Sequence, residues 1–166
     1  MADVAKGNLE SSRFLFDRYH LRIFNFVFQM CRDRGLSEDL TQEAFYKVLK
    51  NRTSYKGGNF ASWIYTIARN NVHTHFRKQK NMQEDDLDGV LYKLSDEPSD
   101  VSENAAFLQR ALQRLEPDDR EVLVMHKMQG IKYEELGTIL EISPGAAKAK
   151  AYRALKKLKE IYFQKL

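Results

Sequence analysis

Residues 131–159, IKYEELGTILEISPGAAKAKAYRALKKLK, contain the pattern that decides the fold of this chain. A short apolar-periodic segment, residues 133–140, is followed by a three-residue turn at 141–143. Ser143 can accept a hydrogen bond as the N-cap of a second helix, and Pro144 suits its first position because proline has a helical φ. The stretch therefore predicts two helices in a helix-turn-helix arrangement.

The second helix of this motif has a large excess of positive charge. From Pro144 to Leu166 there are seven lysines and arginines and one acidic residue. Lys148, Tyr152 and Lys156 lie four residues apart, so they would share one side of the helix. The second helix of a helix-turn-helix enters the DNA major groove, where most lysines contact phosphates. Turn, cap and charge together favour DNA binding, and a solvated charged helix is the alternative.

One side of this second helix is predicted to be buried. Its small and apolar residues recur at helical spacing: Ala147, Ala151, Leu155 and Leu158. Ile142, in the turn, is expected to fill the joint between the two helices. Ala146 and Ala149 are small enough to let the helix approach either its neighbour or DNA closely.

Residues 61–78, ASWIYTIARNNVHTHFRK, predict another amphipathic helix, which has a distinct polar edge. Its predicted buried face consists of Trp63, Ile64, Ile67, Ala68 and Val72. A second line at four-residue intervals consists of Tyr65, Arg69, His73 and Arg77, with Asn70, Asn71 and Thr74 beside it. Such an edge suits a nucleic-acid strand, because bases stack on aromatic rings and cations hold phosphates. A solvated face is the alternative, and Trp63 could equally belong to the core.

The remaining periodic segments also predict helices. Residues 15–30 show helical spacing of apolar side chains, and a following helix can begin at Ser37, whose hydroxyl would be its N-cap. The loop TSYKGGN, residues 53–59, interrupts this pattern, and Asn59 can cap the next helix. No clean two-residue alternation extends over six residues, so the sequence predicts an all-α protein.

Charge divides the chain into three segments. Residues 1–80 carry 14 basic and 7 acidic residues, residues 81–104 carry 1 and 8, and residues 105–166 carry 12 and 8. The middle segment is rich in Asp, Ser and Asn, which is typical of a linker. We therefore expect two small helical domains, 1–80 and 105–166, joined by a flexible acidic linker at 81–104. Helices of the second domain are expected to begin near Ser102 and at Pro117.

No catalytic or metal-binding site is expected. The single cysteine, Cys31, excludes an internal disulfide and a paired-cysteine metal site, and it fits a reduced intracellular compartment. His73 and His75 would point about 200° apart on a helix and make a poor metal pair. Without a long apolar run or a signal-peptide core, the chain is expected to be cytoplasmic, not inserted in a membrane, and free of cofactors.

Three stretches, in this order, resemble the extracytoplasmic-function, or group 4, sigma factors of bacterial RNA polymerase. SEDLTQEAFYKVLKN, residues 37–51, resembles region 2.2 of that family, and FASWIYTIARNNVHTHFRK, residues 60–78, resembles regions 2.3 and 2.4. LEPDDREVLVMHKMQGIKYEELGTILEISPGAAKAKAYRALKKLKE, residues 115–160, resembles region 4. The resemblance covers nearly the whole chain. It implies a subunit that directs core polymerase to promoters by recognising −10 and −35 elements.

The resemblance implies a docking role for the acidic helix at residues 37–51. In the family, this helix binds a coiled coil in the largest polymerase subunit. The implied residues here are Asp39, Gln42 and Glu43, with Leu40 and Phe45 at the edge or in the core. The carboxylates would meet basic groups on the partner, although acids near a helix start also favour the helix itself.

The resemblance also implies that the loop at residues 54–59 captures an unpaired base of the −10 element. Stacking on an aromatic ring returns roughly 1–3 kcal/mol per base, which offsets the cost of flipping. Asn70 matches a family position that contacts the −10 motif. The implied set is Tyr55, Lys56, Asn59, Trp63, Tyr65, Arg69, Asn70, His73, Thr74 and Arg77.

The helix after the turn is implied to recognise the −35 element. The implied set is Ser143, Gly145, Ala146, Lys148, Ala149, Lys150, Tyr152, Arg153 and Lys156. This helix departs from the common family pattern, because Lys150 and Ala149 stand where arginine and serine are usual, and lysine lacks the fork that suits guanine. The family further implies contacts with the polymerase flap and with an anti-sigma factor.

Two other functions stay open at the level of sequence. A stand-alone helix-turn-helix regulator explains residues 131–159 but leaves the acidic helix and the basic-aromatic helix unexplained. A sigma-like protein that serves only as a binding partner would share all of these patterns. Promoter-directed transcription with added core polymerase separates it from a sigma factor.

Overall fold

The computed structural model describes residues 1–8, 10–85 and 102–164, and it divides the chain into two compact units, Met1–Leu94 and Ser95–Leu166. All regular structure in these described ranges is helical, which confirms the predicted all-α fold. None of the helices in this part of the chain has the length and apolar character needed to cross a membrane.

The first unit is built from three long helices. They are α2 (Glu10–Cys31), α3 (Arg34–Lys50) and α4 (Phe60–Asp85), preceded by the short α1 (Ala2–Ala5), and a 3-10 turn (Arg52–Ser54) follows α3. The core takes side chains from each long helix, among them Ile23, Phe26, Val27, Ala44, Val48, Ile64, Ala68 and Val72. Burial of these apolar faces holds the three helices together.

The start of α3 differs from the prediction. Asp33 is the N-cap, and its carboxylate accepts a hydrogen bond of 2.8 Å from the backbone N–H of Leu36. Ser37, predicted as the cap, is fully buried inside the helix, where its hydroxyl donates to the Asp33 carbonyl at 2.5 Å. The helix therefore begins one turn earlier than the serine suggests, because an aspartate outside the acidic stretch satisfies its free N–H groups.

The second unit contains four α-helices within the described residues. They are α5 (Glu103–Gln113), α6 (Pro117–Leu123), α7 (Tyr133–Leu140) and α8 (Pro144–Phe163), and a π-helical turn (Val124–Met128) extends α6. The predicted starts are confirmed: Ser102 caps α5, and Pro117 is the first residue of α6. A core that includes Leu112, Leu115 and Leu123 packs against Ala154 and Leu158 of α8.

Arg120 caps the C-terminal end of α5. The buried Arg120 guanidinium donates hydrogen bonds to three backbone carbonyls, those of Leu112, Gln113 and Leu115, at 3.1, 2.8 and 3.1 Å. These carbonyls lie at or just beyond the end of α5, where backbone acceptors outnumber backbone donors. The contact fixes α6 beside α5 and so sets the base on which the helix-turn-helix is built.

The predicted linker overlaps two helices. α4 continues to Asp85, and α5 begins at Glu103 after its cap at Ser102. Residues 81–85 and 102–104 of the predicted linker are therefore parts of helices or their caps. Residues 86–101 lie outside the described residues.

Candidate DNA-binding and partner surfaces

The turn between α7 and α8 depends on a close approach of backbone to backbone. Ser143 accepts a hydrogen bond of 3.1 Å from the N–H of Ala146, which confirms the predicted cap, and Glu141 adopts the left-handed conformation with φ 57°. The Ile142 N–H donates to the Gly137 carbonyl at 2.9 Å. A Cβ added at Gly137 would lie 2.7 Å from the Ile142 carbonyl oxygen, so this position requires glycine.

The prediction for Ile142 is wrong. Its side chain is 37% exposed and does not fill the joint between α7 and α8. The backbone of the turn lies directly against α7 at Gly137, where a side chain at position 137 would collide with the Ile142 carbonyl. The joint is instead closed by Leu136 and Ile139 of α7 and by the predicted small residues of α8, Ala147 and Ala151, all of them buried.

The outward side of α8 holds most of the predicted −35 residues. Eight of the nine are exposed: Ser143, Gly145, Ala146, Lys148, Ala149, Tyr152, Arg153 and Lys156. Tyr152 is 72% exposed and is the largest side chain on this side. Since Ala147, Ala151 and Ala154 are buried, the helix has one packed side and one open side that combines positive charge with small residues.

Lys150 differs from its neighbours because it turns towards α6. Its ammonium lies 4.0 Å from the Asp118 carboxylate, and its side chain is 29% exposed. Lys157, two turns further along the same side of α8, contacts Asp119 at 2.5 Å. Two acids of α6 therefore offset positive charge along one border of α8. Lys150 is therefore held at that border.

The predicted polar edge of α4 is divided between the core and the surface. Tyr65 is fully buried and packs edge-on against Phe26, with ring centroids 5.7 Å apart, so its assignment to a DNA-contacting edge is wrong. Burial raises the pKa of the Tyr65 hydroxyl to about 12, and the nearby Arg22 cation opposes that rise only in part. The tyrosine is a core residue with its hydroxyl at the Arg22 guanidinium.

The division of this edge follows from helix geometry. A step of four residues advances about 40° beyond a full turn, so three steps from Tyr65 to Arg77 rotate by about 120°. Tyr65 therefore shares the buried side with Ala68 and Val72, whereas Arg77 is exposed. Of the other predicted residues, Asn70 is exposed, and three are half-buried: Arg69, His73 and Thr74.

Three aromatic rings gather at the start of α4. Tyr55 lies 5.1 Å from Trp63 and 6.4 Å from Phe60, and Phe60 lies 6.2 Å from Trp63, measured between ring centroids. Trp63 is half-buried, so it supports the cluster and also reaches the surface. The ring system provides a place where a base could stack beside the loop.

The loop before α4 is shaped by its own contacts. The Tyr55 hydroxyl donates to the Gly58 carbonyl at 2.6 Å, and Gly57 and Gly58 have φ values of 90° and 91°, which favour glycine. Asn59 accepts a hydrogen bond of 3.3 Å from the Ser62 N–H, which confirms that it caps α4. Lys56 and Asn59 are exposed on this loop.

The predicted docking helix α3 has a polar outer side and an apolar inner side. Asp39, Gln42 and Glu43 are exposed, whereas Leu40 and Phe45 are 5% and 9% exposed and pack into the first unit. Leu40 and Phe45 were expected either at the edge of the surface or in the core, and they lie in the core. A docking surface on α3 would be formed by the three polar residues.

A polar contact that was not predicted from the sequence joins α3 and α4. Lys47 lies 2.7 Å from the Glu43 carboxylate and donates to the Asn71 side-chain oxygen at 2.6 Å. The Asn71 amide nitrogen donates to the Leu40 carbonyl at 3.3 Å, and Asn71 is 3% exposed. One feature of the sequence could have indicated this contact: Asn71 follows Asn70 directly and lies on the side of α4 that also carries buried residues.

The described residues contain no cluster of histidine, cysteine, aspartate or glutamate side chains able to hold a metal ion. The surfaces of the two units carry carboxylates and amides on α3, an aromatic loop and an amide-basic edge on α4, and a basic side with small residues on α8. These groups are suited to binding a protein and a nucleic acid.

Comparison with known proteins gives a consistent result for both units. The family model Sigma-70 region 2 matches residues 15–82, and Sigma-70, region 4 matches residues 108–158. The chain is 37% identical over 150 residues to the RNA polymerase sigma factor CarQ of Myxococcus xanthus, covering 89% of this chain and 86% of CarQ. It is 35% identical over 136 residues to the ECF RNA polymerase sigma factor SigF of Caulobacter vibrioides, covering 81% and 75%.

A solved structure shows the same fold. It is the sigma factor RpoE in complex with the anti-sigma factor NepR from Bartonella quintana, with a TM-score of 0.80. The similarity covers 90% of this chain and 94% of that chain, at 23% sequence identity.

Proposed function

Because this chain belongs to the extracytoplasmic-function family of RNA polymerase sigma factors, we propose that it binds core polymerase through α3 and promoter DNA through α4 and α8. Members of this family are the subunits that give RNA polymerase its promoter specificity. We propose particular residues of this chain for core binding, for −10 recognition and for −35 recognition.

The observation that carries the proposal is the open side of α8. It combines the cations of Lys148, Arg153 and Lys156 with small residues that leave the helix backbone accessible. A helix of this kind can enter a major groove, with the cations on phosphates and the groove floor within reach of its first two turns. We assign −35 recognition to this surface.

The first unit would perform the other two steps. The Asp39 and Glu43 carboxylates and the Gln42 amide form a compact polar surface that matches basic groups on the coiled coil of the largest polymerase subunit. On α4, Asn70 and the half-buried Arg69 and His73 would contact the −10 element. An opened base would stack at the aromatic cluster of Tyr55, Phe60 and Trp63.

We further propose that the chain has no catalytic activity of its own and acts in the cytoplasm, where core polymerase and chromosomal DNA are found. Its second unit would also contact the polymerase flap. The structurally similar RpoE was crystallised with an anti-sigma factor, and this supports the proposal that an anti-sigma factor also controls the present chain. Chemistry would be performed by core polymerase.

Transcription in vitro with core polymerase over a library of random promoters tests this function. We expect the chain to enrich templates that share two short elements at −10 and −35 spacing. Asn70→Ala should reduce opening or discrimination at −10 more than core binding, whereas Gln79→Ala, at an exposed position of the same helix, should not. If core polymerase with and without the chain transcribes the same templates, the proposal is wrong.

A further inference from the structure

α8 carries an exposed aromatic ring on its open side. Tyr152 is 72% exposed, and among the described residues it has neither a stacking partner nor a hydrogen bond. A single exposed ring is ordinary on a protein surface, so the position of Tyr152 on the open side of α8 decides what it can contact. Phe163, near the end of the same helix, is 75% exposed, so α8 also supplies an exposed aromatic residue for comparison.

The neighbours of Tyr152 restrict how this helix can distinguish bases. Ala149 lies one turn before Tyr152 on the same side, and Gly145 lies one turn before Ala149. A Cβ added at Gly145 would meet no atom within 4 Å, so packing inside the protein does not require glycine there. On the side of Tyr152 that faces Gly145 and Ala149 there is therefore no other side-chain donor or acceptor. Lys148 lies about 40° around the helix on the other side of the ring.

The cations lie beside the line of Gly145, Ala149 and Tyr152 or beyond it. With about 100° per residue, Lys148 lies about 40° to one side of Tyr152 and Arg153 about 100° to the other, and Lys156 follows Tyr152 by one turn. Lysine is a point charge that suits phosphate, and Lys150 is drawn towards Asp118 of α6. Hydrogen-bonded reading of guanine by a forked side chain is thus available only to Arg153.

The uncharged line of Gly145, Ala149 and Tyr152 matches one particular group in the major groove. Thymine carries a methyl group there, and the other three bases do not. We infer that Tyr152 is a specificity-determining residue that recognises thymine in the −35 element through contact of its ring with the thymine methyl group, with Ala149 packed beside the same methyl. This inference rests on the proposed assignment of −35 recognition to α8.

Replacing single thymines by deoxyuridine tests the contact, because the exchange removes only the methyl group. A promoter selected from the library is prepared with each −35 thymine replaced in turn, and the affinity of reconstituted holoenzyme is measured. We expect at least one replacement to weaken binding about fourfold, the value for one buried methyl group. Replacements outside both promoter elements should have no effect.

Variants of Tyr152 test whether its ring is responsible for the affinity lost with the thymine methyl group. Tyr152→Ala should weaken binding to the thymine duplex and bring the thymine-to-deoxyuridine affinity ratio to one, whereas Tyr152→Phe should keep the wild-type ratio. Phe163→Ala is the matched control and should also keep it. Alanine is a strong helix former, and circular dichroism checks that each variant is folded.

Three results would overturn the inference. The first is that wild-type holoenzyme binds the thymine and deoxyuridine duplexes with equal affinity at every −35 thymine. The second is that Tyr152→Ala loses the same affinity for both duplexes. The third is that Tyr152→Phe loses as much affinity as Tyr152→Ala. In each case, protection of the −35 element by holoenzyme would show that the proposed function survives. If holoenzyme protects no −35 element, the assignment of α8 fails together with the inference.

Discussion

Lys47 of α3 donates a 2.6 Å hydrogen bond to the side-chain oxygen of Asn71 on α4. The same ammonium lies 2.7 Å from Glu43, and the Asn71 amide donates to the Leu40 carbonyl at 3.3 Å. A buried asparagine thus joins the proposed docking helix to the proposed −10 helix, one residue from Asn70. This contact helps to fix the proposed −10 edge of α4 relative to the proposed docking surface of α3.

Replacing Asn71 by alanine should destabilise the first unit by about 1–3 kcal/mol, because the Lys47 ammonium loses a partly buried acceptor. Trp63 is the only tryptophan of the chain and lies in this unit, so its fluorescence reports the urea unfolding of the first unit. Asn70→Ala, at the exposed neighbouring position, should change stability by less than about 0.5 kcal/mol. Equal stability of the two variants would contradict a structural role for Asn71.

Tyr65 should make the first unit sensitive to alkaline pH. Its pKa is about 12 in the folded chain, against an ordinary value of 10.0 for tyrosine, so between these values the folded state retains a proton that the unfolded state has released. Stability from this group is complete below pH 10 and falls as pH rises towards 12, by up to about 1.4 kcal/mol per pH unit.

The difference between wild type and Tyr65→Phe isolates this contribution from the other groups that titrate at high pH. Urea unfolding followed by Trp63 fluorescence should show a steeper loss of stability above pH 10 for wild type than for the variant. Parallel curves for the two proteins would show that the folded and unfolded states release this proton at the same pH.

Removal of the Asp39 and Glu43 carboxylates should weaken binding to core polymerase by at least about tenfold, if each makes one charge-assisted contact. The double alanine variant should keep the fold, because both side chains are exposed. Glu38→Ala is the matched control, since Glu38 is an exposed acid of the same helix that pairs with Arg34 at 3.1 Å. A titration of fluorescently labelled chain with core polymerase measures the affinities, and an unchanged double variant would reject this surface.

Alanine at Lys148 and Arg153 should weaken promoter binding and reduce its dependence on salt. The slope of log affinity against log salt concentration falls by about 0.9 for each phosphate contact that is lost. Lys159→Ala removes an exposed cation near the end of α8 and should leave the slope unchanged. Holoenzyme binding measured over a series of salt concentrations distinguishes the variants, and a slope unaltered in the double variant would place the phosphate contacts on another surface.

The helix-turn-helix shows how far local sequence can specify structure. The first helix was predicted at residues 133–140, and α7 spans Tyr133–Leu140. Ser143 and Pro144 occupy the predicted cap and first position of α8. These features depend on contacts between residues close in sequence, such as the bond from the Ala146 N–H to Ser143, so residue type and spacing suffice to predict them.

The sequence by itself determined the helical class, most helix starts and the separation of charge, because these follow from local hydrogen bonds, periodicity and composition. Only the tertiary structure decided which side chains of a shared line reach the surface. Tyr65 is buried against Phe26, and Ile142 is exposed in a turn whose backbone packs against Gly137. Residues spaced four apart rotate gradually around their helix, so they do not all face the same way. Packing partners distant in sequence determine which of them are buried.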